Sequence, residues 1–169
     1  MGYLWDRWTG TRHAEPGTRV LPTQQLRDAL LALNDSGVPF RIRETGVGGA
    51  DLVAEWRVLE PATGIGLTRR QVDRTLKVWL SLRPREREVR AIDEQFEVTR
   101  AGAPPGRVVA RAQGRGPIRG MRKRWVYEKG PDGRRHKVVT FEFDSRQLKN
   151  PLRTTVLQAG WTWRGVYRF

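Results

Sequence analysis

The sequence predicts an α+β fold, a strongly bent antiparallel sheet or partly open barrel of about six to eight strands with two amphipathic helices. Three observations predict it. Most apolar residues between 40 and 143 recur with period two, the signature of half-buried strands. Only two stretches carry helical spacing, one near each end. Turn residues separate the strands at short intervals with no alternating strand–helix rhythm, which argues against a parallel sheet.

The elements follow in order. Residues 1–20 open with Tyr3, Leu4, Trp5 and Trp8 and then turn polar at Gly10, Pro16 and Gly17, predicting a strand and a loop. The first helix spans 22–37. Thr23 is its expected N-cap, Leu26, Ala29, Leu30 and Leu33 form its apolar face, and Gly37 ends it in the left-handed conformation. Strands follow at Phe40/Ile42, at Leu52/Ala54/Trp56/Val58 and at Leu76/Val78/Leu80/Leu82. Between the last two, Gly64 and Gly66 predict a loop, with Thr68–Arg74 able to form a short helical turn. In 86–99 the apolar parity changes after Val89 and Ala91 to Ile92, Phe96 and Val98, which predicts a β-bulge. Val108, Ala110 and Ala112 mark another strand. The segments 121–129 and 137–143 flank Gly130-Pro131-Asp132-Gly133 and predict a hairpin. Asn150-Pro151 predicts the start of a second helix over 150–160, with Leu152, Val156 and Ala159 on one side and Gly160 at its end. The final strand, 161–169, puts Trp161, Trp163, Tyr167 and Phe169 on one face, expected to be core. All of this is expected to form one domain over 1–169.

Composition narrows the function classes. There is no cysteine, so disulfides, thiolate metal sites and cysteine catalysis are excluded, and a cytoplasmic protein is expected. The N-terminus has no signal-peptide pattern and no apolar run reaches membrane-span length, so no integral membrane association is expected. His13 and His136 lie far apart in sequence, and we expect no metal and no cofactor. Asp93/Glu94 and Glu142/Asp144 are the paired carboxylates available to an enzyme, but each also fits an exposed strand end. No nucleophile elbow or P-loop is present, so catalytic residues are not expected.

Charge is the main functional signal. Residues 1–60 carry seven basic and eight acidic side chains, whereas 101–169 carry sixteen and four. The densest window, 107–137, holds eleven Arg or Lys against Glu128 and Asp132. The expected contacts to an anion are Arg107, Arg111, Arg115, Arg119, Arg122, Lys123 and Arg124, extended by Arg134, Arg135 and Lys137 at the hairpin tip. Alternation puts Arg107 and Arg111 on one strand face, while Arg115 and Arg119 sit on a loop whose glycines let backbone N–H groups approach an oxyanion. Trp125 and Tyr127 are interleaved with lysines and could stack bases, but burial is the commoner fate of such a pair and Trp125 is expected in the core. Trp79, sharing a face with Lys77 and Ser81, is the better candidate for exposure. The expectation is a non-enzymatic binder of a polyanion, nucleic acid first. The alternatives are a protein–protein assembly component (a homo-oligomer or an acidic protein partner) and a peripheral binder of anionic lipid.

Asp51-Leu-Val-Ala-Glu-Trp56, Glu88-Val-Arg-Ala-Ile-Asp93 and Gly160-Trp-Thr-Trp-Arg-Gly-Val166 resemble segments of an uncharacterised group of small soluble proteins from high-GC bacteria. The resemblance runs from the first helix onward; it implies a bacterial protein and no activity. In layout, many antiparallel strands and then a late helix, the chain is similar to tubby-like and scramblase-related barrels. Those wrap a hydrophobic helix, whereas Arg153, Thr154, Thr155 and Gln158 make this one half apolar.

Overall fold

The computed structural model describes residues 10–116 and 120–169. The strand expected around Tyr3–Trp8, and Arg119, lie outside the described residues. The elements are α1 (Thr23–Ala32), β1 (Arg41–Glu44), β2 (Leu52–Leu59), β3 (Arg70–Arg83), β4 (Glu88–Ala101), β5 (Arg107–Arg115), β6 (Met121–Lys129), β7 (Arg135–Asp144), α2 (Arg146–Gln158) and β8 (Thr162–Gly165). The class is α+β. One sheet has the order β1-β2-β3-β4-β5, with β8 beside β4, and β6-β7 form a separate two-stranded sheet. The sheet is open, not a strongly bent one or a partial barrel: β1 and β5 lie at opposite ends of the strand order, and the hairpin leaves instead of closing the gap. All pairings are antiparallel except β8, which runs parallel to β4 from Glu88↔Thr162 to Ala91↔Gly165. The first half of β4 therefore borders β8 and the second half borders β5.

The core lies between one sheet face and the two helices. Leu52, Ala54, Leu76, Val78, Leu80, Val89 and Ala91 are buried there against Leu26 and Leu30 of α1 and Leu148, Leu152 and Val156 of α2. Burying such a side chain contributes about 1.5–3 kcal/mol, so these contacts dominate the stability of a fold with so short a first helix. The bulge expected near Ile92 is absent, because β3 and β4 stay in unbroken register from Arg83↔Glu88 to Arg70↔Ala101. Ile92 is buried on the opposite sheet face, in one ladder row with Trp79 and the buried Val53. The parity change thus reflects two partly covered faces. The register irregularity falls later, against β5, between Thr99 and Arg100.

The ends of both helices differ from the sequence expectation. In α1 the N-cap position is Pro22, without a side-chain cap, and Thr23 is already helical. Gly37 does take a positive φ of 77°. The Asn34 amide accepts from Ile42 N–H at 2.8 Å and donates to Ile42 C=O at 2.9 Å, tying the turn after α1 to β1. The second helix starts at Arg146, not Asn150, and Pro151 lies inside it. The lost backbone bond at Pro151 is outweighed by burial of Leu148 and by the Lys149–Asp93 ion pair at 2.6 Å, both of which need the earlier turn. At the other end Gly160 N–H donates to Leu157 C=O and Trp161 N–H to Val156 C=O, the paired bonds of a glycine-terminated helix. Trp161 and Trp163 are core, as expected. Tyr167 is half exposed and Phe169 only partly buried, because β8 ends at Gly165 and the chain beyond it leaves the strand.

Candidate functional site

The basic window divides into two structural parts, the edge strand β5 and the β6–β7 hairpin. The turn expected at 130–133 closes the hairpin. Gly130 N–H donates to Arg134 C=O at 2.8 Å, and Asp132 Oδ1 accepts from Arg134 N–H and lies 2.8 Å from His136 Nε2. The His136 contact, and then the Arg134 N–H, hold the Asp132 carboxyl below its ordinary value. Register runs from Met121↔Asp144 to Arg124↔Phe141 and resumes at Trp125↔Val139, leaving Thr140 unpaired as a bulge. One hairpin face carries Arg122 and Arg124 opposite Phe143 and Phe141. The other carries Lys123, Trp125, Tyr127 and Lys129, together with Lys137 and Arg135.

The first face seats the hairpin on the body. Phe143 is buried, 5.1 Å from the Trp56 ring centroid. Arg124 donates to Pro61 C=O at 2.6 Å and to Glu60 at 3.2 Å, and Arg122 stands 3.8 Å from the same carboxylate. Glu60 is 1% exposed and also meets the buried Arg74 at 3.2 Å. Arg74 in turn donates to Glu97 at 2.8 Å and lies over the Phe143 ring at 5.5 Å. Two of the expected phosphate contacts, Arg122 and Arg124, are thus engaged in an ion cluster at the hairpin base. Nothing in the sequence marked Glu60 as the centre of that cluster. A single Glu before a proline gives no signal until β2, β3 and β6 converge on it.

The second face is bare. Trp125 is 46% exposed and Tyr127 64%, which corrects the expectation that Trp125 is core. The reason is topological: only the base of the hairpin reaches the helices and main sheet, so period-two patterning beyond it has nothing to pack on. Trp79, expected to be the exposed tryptophan, is only partly exposed and donates its indole N–H to Glu94 at 2.9 Å. Lys137 Nζ stands 3.6 Å from the Trp125 ring centroid, a cation–π contact. Lys123 pairs with Glu142 at 3.5 Å. Arg134 and Arg135 are exposed at the tip and make no ion pair among the described residues.

On β5 the arginines are exposed but do not all share a face. The irregularity opposite Thr99/Arg100 leaves Val109 unpaired, so Arg107 faces away from Arg111 and Arg115. This corrects the expected Arg107/Arg111 pairing. Two of the glycine amides expected to cradle an oxyanion are already engaged: Gly116 N–H by Asp93 C=O at 2.9 Å and Gly120 N–H by Ser145 Oγ at 3.1 Å.

Of the carboxylate pairs, Asp93/Glu94 does not converge, while Glu142 and Asp144 share a face of β7 but are engaged by Lys123 and Arg146. Asp93 faces α2 and Lys149, while Glu94 faces the other way toward Trp79 and Gln113. Asp144 receives Arg146 Nε at 2.8 Å, and that hydrogen bond is the main reason its carboxyl is held below the ordinary value. Among the described residues no group of three or more His, Asp or Glu could hold a metal, and no helix is long and apolar enough to cross a membrane.

Comparison with known proteins gives no matching family model, no matching curated protein and no matching solved structure.

Proposed function

We propose that the protein binds nucleic acid non-enzymatically through the outer face of the β6–β7 hairpin, with single strands preferred. The observation that carries this reading is the exposed Trp125/Tyr127 pair on the same ribbon face as Lys123, Lys129, Arg135 and Lys137. Every base has a π face, so exposed aromatics bind single strands irrespective of sequence, while the cations follow the phosphates. A two-stranded ribbon with a bare face is marginal in water and gains from a partner. A chain of net charge +14 disfavours a second copy of itself and favours an anion. In this reading Arg134 at the tip and Arg111 and Arg115 on β5 add longer-range attraction, while Arg122 and Arg124 hold the ribbon in place.

The test is fluorescence anisotropy with labelled oligo(dT) and a duplex of equal length at several salt concentrations. Binding should favour the single strand, and log K should fall linearly with log salt. Four phosphate contacts give a slope of roughly −3. Trp125→Ala with Tyr127→Ala should weaken binding about tenfold or more at unchanged slope, since one stacked base contributes about 1–3 kcal/mol. Lys129→Ala with Lys137→Ala should flatten the slope. No binding of either nucleic acid at low salt sinks the proposal.

A further inference from the structure

A second surface stands apart from the hairpin face and uses none of its residues. β2 and β4 end, and β3 and β5 begin, at the same edge of the main sheet, where the loops 61–69 and 102–106 meet. At the tip of the first loop Ile65 is 86% exposed and Leu67 95%. Water-facing aliphatic side chains are common singly; two at one turn apex call for a partner.

The turn that presents them is built. Thr63 and Arg70 exchange both backbone hydrogen bonds, at 2.8 and 2.6 Å. Thr68 Oγ1 donates to Ile65 C=O at 2.7 Å and accepts from Ile65 N–H at 3.3 Å. Gly64 has φ +78°, and a Cβ there would stand 2.5 Å from Thr68 C=O. The second loop is stitched to the first, with Gly102 N–H donating to Arg69 C=O at 2.9 Å and the Arg69 guanidinium to Gly102 C=O at 3.4 Å. Ile65 and Leu67 are therefore held outward by the fold and cannot collapse back onto the sheet without breaking these bonds.

Within the two loops and the strand residues next to them the charge has one sign. Residues 61–72 and 99–109 contain Arg69, Arg70, Arg100 and Arg107 and no Asp or Glu. Arg70 and Arg107 occupy one ladder row on either side of Ala101, facing the same side of the sheet. Aliphatic tips framed by guanidinium groups match an interface whose interior is apolar and whose rim is anionic. A nucleic acid offers the charge but no apolar layer. An acid-bearing bilayer surface offers both.

We infer that this loop edge docks the protein on an anionic lipid surface, with Ile65 and Leu67 entering the acyl boundary and Arg70 and Arg107 meeting headgroup phosphates. The inference is independent of the nucleic-acid proposal. The experiment is co-sedimentation of the full chain with vesicles of phosphatidylcholine alone and of phosphatidylcholine mixed with phosphatidylglycerol. The expected result is pelleting with the mixed vesicles only. Ile65→Asp with Leu67→Asp should weaken it at least about tenfold, and Arg70→Glu with Arg107→Glu at least about 25-fold, at about fivefold for each lost cation. Both side chains of the first pair are exposed, so that variant keeps the wild-type fold, and its oligo(dT) binding should be unchanged. Trp125→Ala with Tyr127→Ala should keep full vesicle binding. The inference is overturned if the wild type ignores the mixed vesicles at low salt, if the Ile65/Leu67 variant binds them as the wild type does, or if the hairpin variant loses vesicle binding.

Discussion

Replacing Glu60 by Gln removes a carboxylate on which three guanidinium groups converge, while keeping the size of the side chain and one acceptor oxygen. The cost can be apportioned by burial. Arg74 is buried, so losing its partner at 3.2 Å leaves charge with little solvent to compensate it. Breaking a buried pair costs about 3–5 kcal/mol. Arg74 keeps Glu97 at 2.8 Å, which places the cost at the lower end, about 3 kcal/mol. Arg124 is one-third exposed and Arg122 more than half exposed, so each adds no more than about 1 kcal/mol. With a urea m-value of about 2 kcal/mol/M, the midpoint should fall by about 1.5–2.5 M at unchanged slope. Arg122→Ala should stay within about 0.5 kcal/mol of wild type. The assay is urea unfolding followed by far-UV circular dichroism. A Glu60→Gln midpoint within about 0.5 M of wild type would refute the reasoning, because it would mean that Arg74 does not depend on Glu60. Glu60→Leu combined with Arg74→Met should be far less damaging than either single change, since the cost lies in an unmatched charge and not in the loss of the pair itself.

Two more outcomes follow from the geometry. Gly160→Ala should destabilise by at least about 2 kcal/mol in the same assay: the position has φ +75° and a Cβ would stand 2.8 Å from Arg19 C=O and 2.9 Å from Val20 Cα, neither of which is a flexible side-chain end. Burial pushes the Glu88 carboxyl upward, but hydrogen bonds from Arg164 at 2.6 Å and Arg90 at 2.9 Å outweigh it, so its folded value lies below the ordinary one. The stabilisation from a depressed carboxylate is fully present above its unfolded value of about 4.3 and is lost as pH falls through the lower folded value. Thermal scans of wild type and Glu88→Gln should therefore differ at neutral pH and converge on acidification below about pH 4; a gap that stays constant to pH 2 would refute it.

The elements with strong periodicity were legible because period and burial are local consequences of the same pattern. Leu76, Val78, Leu80 and Leu82 alternate in the chain and alternate in the sheet. Gly130-Pro131-Asp132-Gly133 can only turn. Elements whose ends depend on distant partners were not legible. Asn150-Pro151 is a good helix start in isolation, yet α2 begins at Arg146 because Leu148 and Lys149 find Val78 and Asp93 nearby. The hairpin failed in the opposite direction. Trp125 carries a core pattern, but a strand's apolar face is core only where another layer meets it, and no packing layer covers Trp125 beyond the hairpin base. The basic window was legible as composition and not as a surface. The bulge at Val109 turns Arg107 away from Arg111, and Glu60 draws Arg122 and Arg124 into the hairpin base.

By itself the sequence determined an α+β chain of two helices and about six to eight mostly antiparallel strands, with its positive charge concentrated after residue 100. Those properties depend on residue type and on neighbours a few positions away. The tertiary structure decided that the sheet stays open, that β8 enters parallel to β4, that Trp125 and Tyr127 face water, and that Ile65 and Leu67 are held outward at a basic edge. Each depends on which segments meet across tens of residues, and neither periodicity nor charge density carries that information.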